Sequence, residues 1–188
     1  MKILLINNNT KHLDSLSKSL TGHQVEVQTY RPGLEFHDYD KDLIILSGGG
    51  GEGLEIYDEH APGHLWYEDQ MEFVLGCDKP LIGICMGFEV IANAYGAKIV
   101  EKPQLIQGYK PVTATQKGLN LLGRKKLTQF ESHFWRVQNV SQKQLEVLAD
   151  SPTGIEAFRH RQKPILATQF HPEKGGSLNL VSLIRQTA

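Results

Sequence analysis

Two short stretches of the chain carry the residue types a covalent catalyst needs. The stretch Pro80-Leu81-Ile82-Gly83-Ile84-Cys85-Met86-Gly87-Phe88-Glu89-Val90-Ile91 begins as an apolar run suited to a buried strand. It continues through Phe88, Val90, Ile91, Ala92 and Ala94, spaced for a helix packed on a sheet. Between the two lies Gly83-x-Cys85-x-Gly87, the strand–turn–helix layout of a nucleophile elbow with a thiol at its tip. Small residues on either side let a strained turn pack closely, so that the side chain projects from the sheet edge. The N-terminal N–H groups of the following helix then face the sulfur, which predicts a lowered thiol pKa and a favoured thiolate. A thiol nucleophile also needs a base and an orienter for that base. His171-Pro172-Glu173 offers both. Residues i and i+2 of an extended segment project to the same side, and Pro172 biases His171 toward extended backbone. Glu173 would then hold one imidazole nitrogen while the other faces Cys85. Taken alone, the pair reads better as a strand-end histidine beside a solvated carboxylate; the elbow cysteine in an α/β pattern is what favours the catalytic reading.

A glycine run, Gly48-Gly49-Gly50-Gly51, follows the apolar segment Leu43-Ile44-Ile45-Leu46. Gly48, Gly50 and Gly53 satisfy G-x-G-x-x-G, but Leu54 to Asp58 leads to Pro62-Gly63 and no helix opens to receive a pyrophosphate. A Gly-Lys-Ser/Thr phosphate loop is absent from the sequence. The run fits better as a loop whose N–H groups, with that of Met86, face a developing oxyanion; a tight turn is the other reading. His60 and His64 are four apart, but Pro62-Gly63 breaks the helix that metal spacing would need, so neither a metal nor a cofactor is expected. Cys77 reads as an inert filler.

The elements that must carry these residues alternate. Lys2 to Ile6 reads as a buried strand. A helix follows with Thr10 as N-cap, Leu13, Leu16 and Leu20 on one face and Gly22 at its end. Gln24 to Thr29 alternates like an exposed strand, Asp42 to Ser47 is a third, and Trp66 to Leu75 a helix leading to the elbow. Strands alternating with helices predict an α/β fold with a mostly parallel central sheet covered on both faces. The second half changes character. Residues 108–115, 127–137, 145–149 and 154–159 read as short strands joined by turns, a smaller antiparallel sheet, with Phe134-Trp135 as core and the cluster around His160 as surface. Ile165 to Phe170 returns to a buried strand, and Ser177 to Gln186 closes as a helix.

With 188 residues and 40% hydrophobic content, the chain is expected to form one domain spanning residues 1–188. Its net charge of −1, without a basic stripe, argues against nucleic acid as partner. No apolar run reaches the length of a membrane span and no leader-like segment is seen, so no membrane partner is expected. Two cysteines, one of them wanted as a thiol, fit a reducing cytoplasmic setting.

Gly-Ile-Cys-Met-Gly, the glycine loop after Ile-Ile-Leu-Ser, and Gln-Phe-His-Pro-Glu occur here in that order. In this the chain resembles the class I glutamine amidotransferase family over nearly its whole length. Its size is similar to that of stand-alone subunits such as that of archaeal GMP synthase. The segment Ala92 to Val100 and the Ser132-His133 pair also look like the family's. The resemblance implies a flavodoxin-like fold, with Cys85 as nucleophile, His171 as base and acid, and Glu173 as orienter. Gly49, with Gly50 beside it, and Met86 would form the oxyanion site. Ser132, His133 and Phe134 would lie where the α-amino and α-carboxyl groups of glutamine are held. The implied reaction is thioester formation at the glutamine side-chain amide, ammonia release and hydrolysis to glutamate, without cofactor. The ammonia would pass to a separate synthetase partner, since the chain has no synthetase domain of its own. One position departs: where the family usually has glutamine, this chain has Glu89 after Phe88. Gly-Phe-Glu is instead similar to γ-glutamyl hydrolases. A carboxylate there removes two N–H donors and adds charge, disfavouring a substrate carboxylate and favouring an ammonium. Alternatives to the amidotransferase reading are therefore a γ-glutamyl hydrolase or peptidase, and a catalytically idle regulatory module.

Overall fold

A computed structural model of the chain describes residues 1–49 and 67–187. Gly50, the rest of the glycine loop, His60, His64 and Trp66 lie outside the described residues. The first half runs β1 (Lys2–Asn8), α1 (Leu13–Ser19), β2 (Gln24–Thr29), β3 (Leu43–Gly49), α2 (Glu68–Gly76), β4 (Leu81–Ile84) and α3 (Met86–Ala94). The second runs β5 (Lys98–Ala114), α4 (Gln116–Leu122), β6 (Lys126–Asn139), β7 (Leu145–Ser151), β8 (Gly154–His160) and β9 (Ile165–Thr168). A 3₁₀ turn (Pro172–Lys174) and α5 (Leu180–Thr187) complete it.

The described strands form one sheet in the order β2-β1-β3-β4-β9-β8-β6-β5-β7. Strands β2, β1, β3, β4 and β9 pair in parallel. The remaining pairings are antiparallel, including β9 with β8. This corrects the expected mostly parallel sheet with a separate smaller one: β9 carries the parallel half straight into the antiparallel half. β7 pairs with both β5 and β8, so β8, β6, β5 and β7 curl into a closed ring. Chain connectivity explains the split. Parallel neighbours need long crossovers, here helical, whereas the strands after β5 are joined mostly by tight turns that enforce antiparallel pairing.

Burial on both faces explains the continuous apolar runs of the parallel half. Along β1, Ile3 and Leu5 join a cluster with Leu16, Leu20, Ile45, Ile82, Leu183 and Ile184 under α1 and α5. Leu4 and Ile6 face the other way, with Ile44, Leu46, Val74, Phe88 and Ile91 under α2 and α3. Each such side chain, fully buried, contributes about 1.5–3 kcal/mol, so the parallel half is the rigid frame on which loops can be mounted.

Local expectations fail where tertiary contacts decide them. The N-cap of α1 is His12, not Thr10; Thr10 instead accepts from the His12 N–H at 3.2 Å and donates its own N–H to Asn7 Oδ1 at 3.1 Å. α4 lies outside the elements expected from sequence, although its signals are present: Thr115 accepts from the Gly118 N–H at 3.0 Å and Gly123 closes the helix at φ 76°. Phe134 is not core; it is 46% exposed. Arg159 and Arg161 are exposed, as expected of the cluster around His160, and pair with Glu146 at 2.7 and 3.1 Å.

Candidate active site

Three parallel strands end at one edge of the sheet and deliver Gly48, Cys85 and His171 to it. Cys85 follows β4 at φ 52°, ψ −104°, a strained backbone for any residue with a Cβ. It is tolerated because both sides of the turn are pinned. The Cys85 N–H bonds the Thr168 carbonyl at 2.8 Å, and its own carbonyl accepts the Glu89 N–H at 3.1 Å to start α3. The flanking glycines are forced by contact. A Cβ on Gly83 would lie 2.5 Å from Ile91 Cδ1 and 2.7 Å from the Gly87 carbonyl, and one on Gly87 would run into the Leu46 carbonyl.

His171 is placed by its N–H bond to the Phe130 carbonyl on β6, 2.8 Å long. The extended His171–Glu173 segment expected from sequence is corrected. Pro172 is the first residue of the 3₁₀ turn, where its fixed φ suits helical winding, and Glu173 is brought back inside that turn. The contact itself forms: His171 Nδ1 lies 2.7 Å from Glu173 Oε1. With the carboxylate accepting, Nδ1 carries the hydrogen and Nε2 keeps its lone pair, which has no hydrogen-bond partner among the described residues. Gly48 brings imidazole and thiol together. A Cβ there would stand 3.1 Å from His171 Cε1 and 3.4 Å from Cys85 Cβ, so the missing side chain is what lets imidazole and thiol share one space. The Ser47 hydroxyl, bonded to the Asn8 N–H at 2.8 Å and the Gly48 carbonyl at 2.9 Å, fixes that strand end.

The expected thiolate is corrected. Burial pushes the Cys85 thiol well above its ordinary pKa, and the carboxylates of Glu89 and Glu173 push the same way, outweighing the helix N–H groups. The resting group is a neutral thiol, donating weakly to the Ser132 carbonyl at 3.8 Å. His12, which no sequence motif singles out, packs edge-on against His171 with ring centroids 4.8 Å apart. Burial, with His171 nearby, lowers its pKa to about 4, so it stays uncharged there.

Cys85 opens into a cavity of about 760 Å³. Of the residues expected at the site, Gly49, Met86, Glu89, Ser132, His133 and Phe134 line it as well. Gly49 packs on Met86, since a Cβ on Gly49 would meet Met86 Sδ at 2.5 Å. Lys11, Tyr67, Asn93, Lys98 and Trp135 also line it, and sequence reasoning misses them. Asn93 has a signal: it lies one helical turn beyond Glu89 on the same face of α3. Glu89 is not free. Its Oε1 accepts from Gln169 Nε2 at 2.8 Å, and burial raises its pKa to about 7. Behind it on β6, burial works against a charged His133, but hydrogen bonding to Glu131 and the carboxylates of Glu156 and Glu89 leave its pKa raised. Cys77 is buried and free, its thiol pushed up by burial.

The sequence model of class-I glutamine amidotransferases matches residues 4–187. The chain belongs to the class-I glutamine amidotransferase family. It is 27% identical over 175 residues to a glutamine-hydrolysing GMP synthase subunit of Thermoplasma volcanium, covering 92% of this chain and 83% of that one. It is 26% identical over 191 residues to anthranilate synthase component 2 of Helicobacter pylori, covering 100% and 96%. The fold is shared with a GMP synthase subunit from Thermoplasma acidophilum: TM-score 0.79, 24% identity, 100% of this chain and 92% of that one. A Thermotoga maritima glutamine amidotransferase superposes with a TM-score of 0.70 at 17% identity, covering 92% and 76%. No described helix is long and apolar enough to cross a membrane.

Proposed function

We propose that this amidotransferase hydrolyses the side-chain amide of glutamine through a Cys85 thioester and supplies the ammonia to a separate synthetase partner. The observation that carries the reading is the meeting of Cys85 with the His171–Glu173 pair across Gly48, with Cys85 itself on the wall of the cavity. In this mechanism the substrate carbonyl enters beside Cys85, His171 Nε2 takes the thiol proton, and sulfur attacks the amide carbon. Pairing with Glu173 steadies the imidazolium so formed. The Gly49 and Met86 N–H groups receive the oxyanion. His171 returns the proton to the leaving nitrogen, ammonia departs, and the same histidine activates water to release glutamate. Because the resting thiol is neutral, attack is coupled to proton transfer, and ionisation is confined to the occupied site. Ser132, His133 and Phe134 contact the amino-acid end of the substrate. The names of the relatives, each describing one part of a larger synthase, support a partner that consumes the ammonia. A reducing, cytoplasmic setting fits two free cysteines. The test is glutamate release from glutamine by the isolated chain, with and without a candidate synthetase. Unchanged activity in Cys85→Ala would sink the mechanism.

A second reading rests on Glu89. Its buried carboxylate at the cavity wall occupies the donor of Gln169, and it presents an acceptor where the family has an amide. That arrangement suits an ammonium-bearing γ-glutamyl compound. Comparing glutamine with γ-glutamyl peptides separates the two, and a preference for the peptides would reverse the order.

A further inference from the structure

Behind the cavity wall, β6 and β8 bury three ionisable side chains that glutamine hydrolysis does not call on together. Glu131, His133 and Glu156 are 0%, 5% and 1% exposed, and one ligand atom from each lies within 4.8 Å of the others. His133 Nδ1 sits 2.6 Å from the Trp135 carbonyl, which can only accept, so Nδ1 carries the hydrogen. Nε2 lies 3.4 Å from Glu131 Oε2, a contact filled by a proton on the imidazole when no metal is bound and open to a metal ion that displaces that proton. The carboxylates are half-satisfied. Glu156 Oε1 takes the hydroxyls of Ser151 at 2.6 Å and Thr153 at 2.8 Å. Glu156 Oε2 and Glu131 Oε1 have no hydrogen-bond partner among the described residues. A buried carboxylate oxygen without a partner is costly, and a pair of them beside an imidazole whose proton a metal ion can replace forms a set of metal ligands.

We propose that Glu131, His133 and Glu156 bind one divalent transition-metal ion, Zn²⁺ in the first instance. One imidazole nitrogen with two carboxylate oxygens suits a borderline ion better than Ca²⁺ or Mg²⁺, which prefer oxygen alone. Metal–ligand bonds of about 2.0–2.2 Å place ligand atoms about 3–4 Å apart, so the cluster closes on an ion by drawing in about 1 Å. The outer contacts are already those of a metal site: the Trp135 carbonyl fixes the histidine tautomer, and Ser151 and Thr153 orient Glu156. A second cavity of about 390 Å³, lined by Glu131, Ser151 and Thr153, gives an ion its path in. Bound there, the ion ties β6 to β8 next to Ser132, whose carbonyl faces the Cys85 thiol.

The chain, stripped with a chelator and dialysed against micromolar Zn²⁺, is expected to retain one ion per chain by elemental analysis. Co²⁺ substitution should give visible d–d bands without a thiolate charge-transfer band. Glu156→Gln should weaken Zn²⁺ binding at least about 10-fold, whereas Cys77→Ser and Cys85→Ser should leave it unchanged. Failure to retain Zn²⁺, equal affinity in a folded Glu156→Gln, or a thiolate band with Co²⁺ would each overturn the proposal. Should Glu156→Gln not fold, the Co²⁺ spectrum and stoichiometry of the unaltered chain decide. The readout is bound metal, so it stands or falls apart from glutamine hydrolysis.

Discussion

The two halves of the sheet hold their share of the site by different means. In the parallel half, position comes from the main chain. Cys85 is set by a strained turn between Gly83 and Gly87, and the close approach of Gly48 lets His171 reach the same space. In the antiparallel half, position comes from ionisable side chains. The β6 segment that carries Ser132 is held by the Glu131–His133 contact, with Glu156 close by on β8 and the Glu89–Gln169 bond beside it. A backbone-built site is insensitive to pH but intolerant of any added atom. A site wall built on buried carboxylates tolerates substitution of similar shape but responds to protons and cations.

Five substitutions test this contrast, in descending order of effect. Cys85→Ala removes the proposed nucleophile, and glutamine hydrolysis should fall by about 10⁴-fold or more in a steady-state assay while the fold survives. Glu173→Gln keeps the shape of the 3₁₀ turn but no longer stabilises an imidazolium, so kcat should drop about 10³-fold with little change in KM. A change in KM alone would detach Glu173 from the chemistry. Glu89→Gln probes the ionisable half through pH. The folded-state pKa of Glu89 is raised to about 7, so its stabilising contribution is complete below the unfolded value near 4.5 and is lost as pH rises through 7. Glutamine does not titrate and can still accept from Gln169. In chelator-treated protein, denaturation should find the variant gaining on wild type between pH 4.5 and 8, by about 3 kcal/mol at most. A pH-independent gap would remove Glu89 from the ionisable wall. Gly87→Ala drives a methyl into the Leu46 carbonyl and should cost about 2 kcal/mol in chemical denaturation at every pH. Thr115→Ala, which uncaps α4 away from both sites, should cost about 1 kcal/mol and leave hydrolysis untouched.

Local sequence was enough to specify the strand–turn–helix at Cys85 and, to within a residue or two, the buried strands expected over Lys2 to Ile6, Asp42 to Ser47 and Ile165 to Phe170, the last of which ends at Thr168. These are local or periodic features, and a strand buried on both faces leaves an unbroken apolar run to read. It also pointed to Gly49, Met86, Glu89, Ser132, His133 and Phe134, all of which line one cavity. Everything else was settled by long-range packing. Whether Cys85 rests as thiol or thiolate depends on burial and on the carboxylates of Glu89 and Glu173, a balance that no local reading of a helix N-terminus contains. The winding of His171–Glu173, the packing of His12 on His171 and the fusion of two expected sheets through β9 depend on partners distant in the chain. The Glu131–His133–Glu156 cluster is the clearest case. Two of its members alternate on one strand and the third lies on another, and only the folding of β6 and β8 into one ring turns three ordinary residues into a donor set.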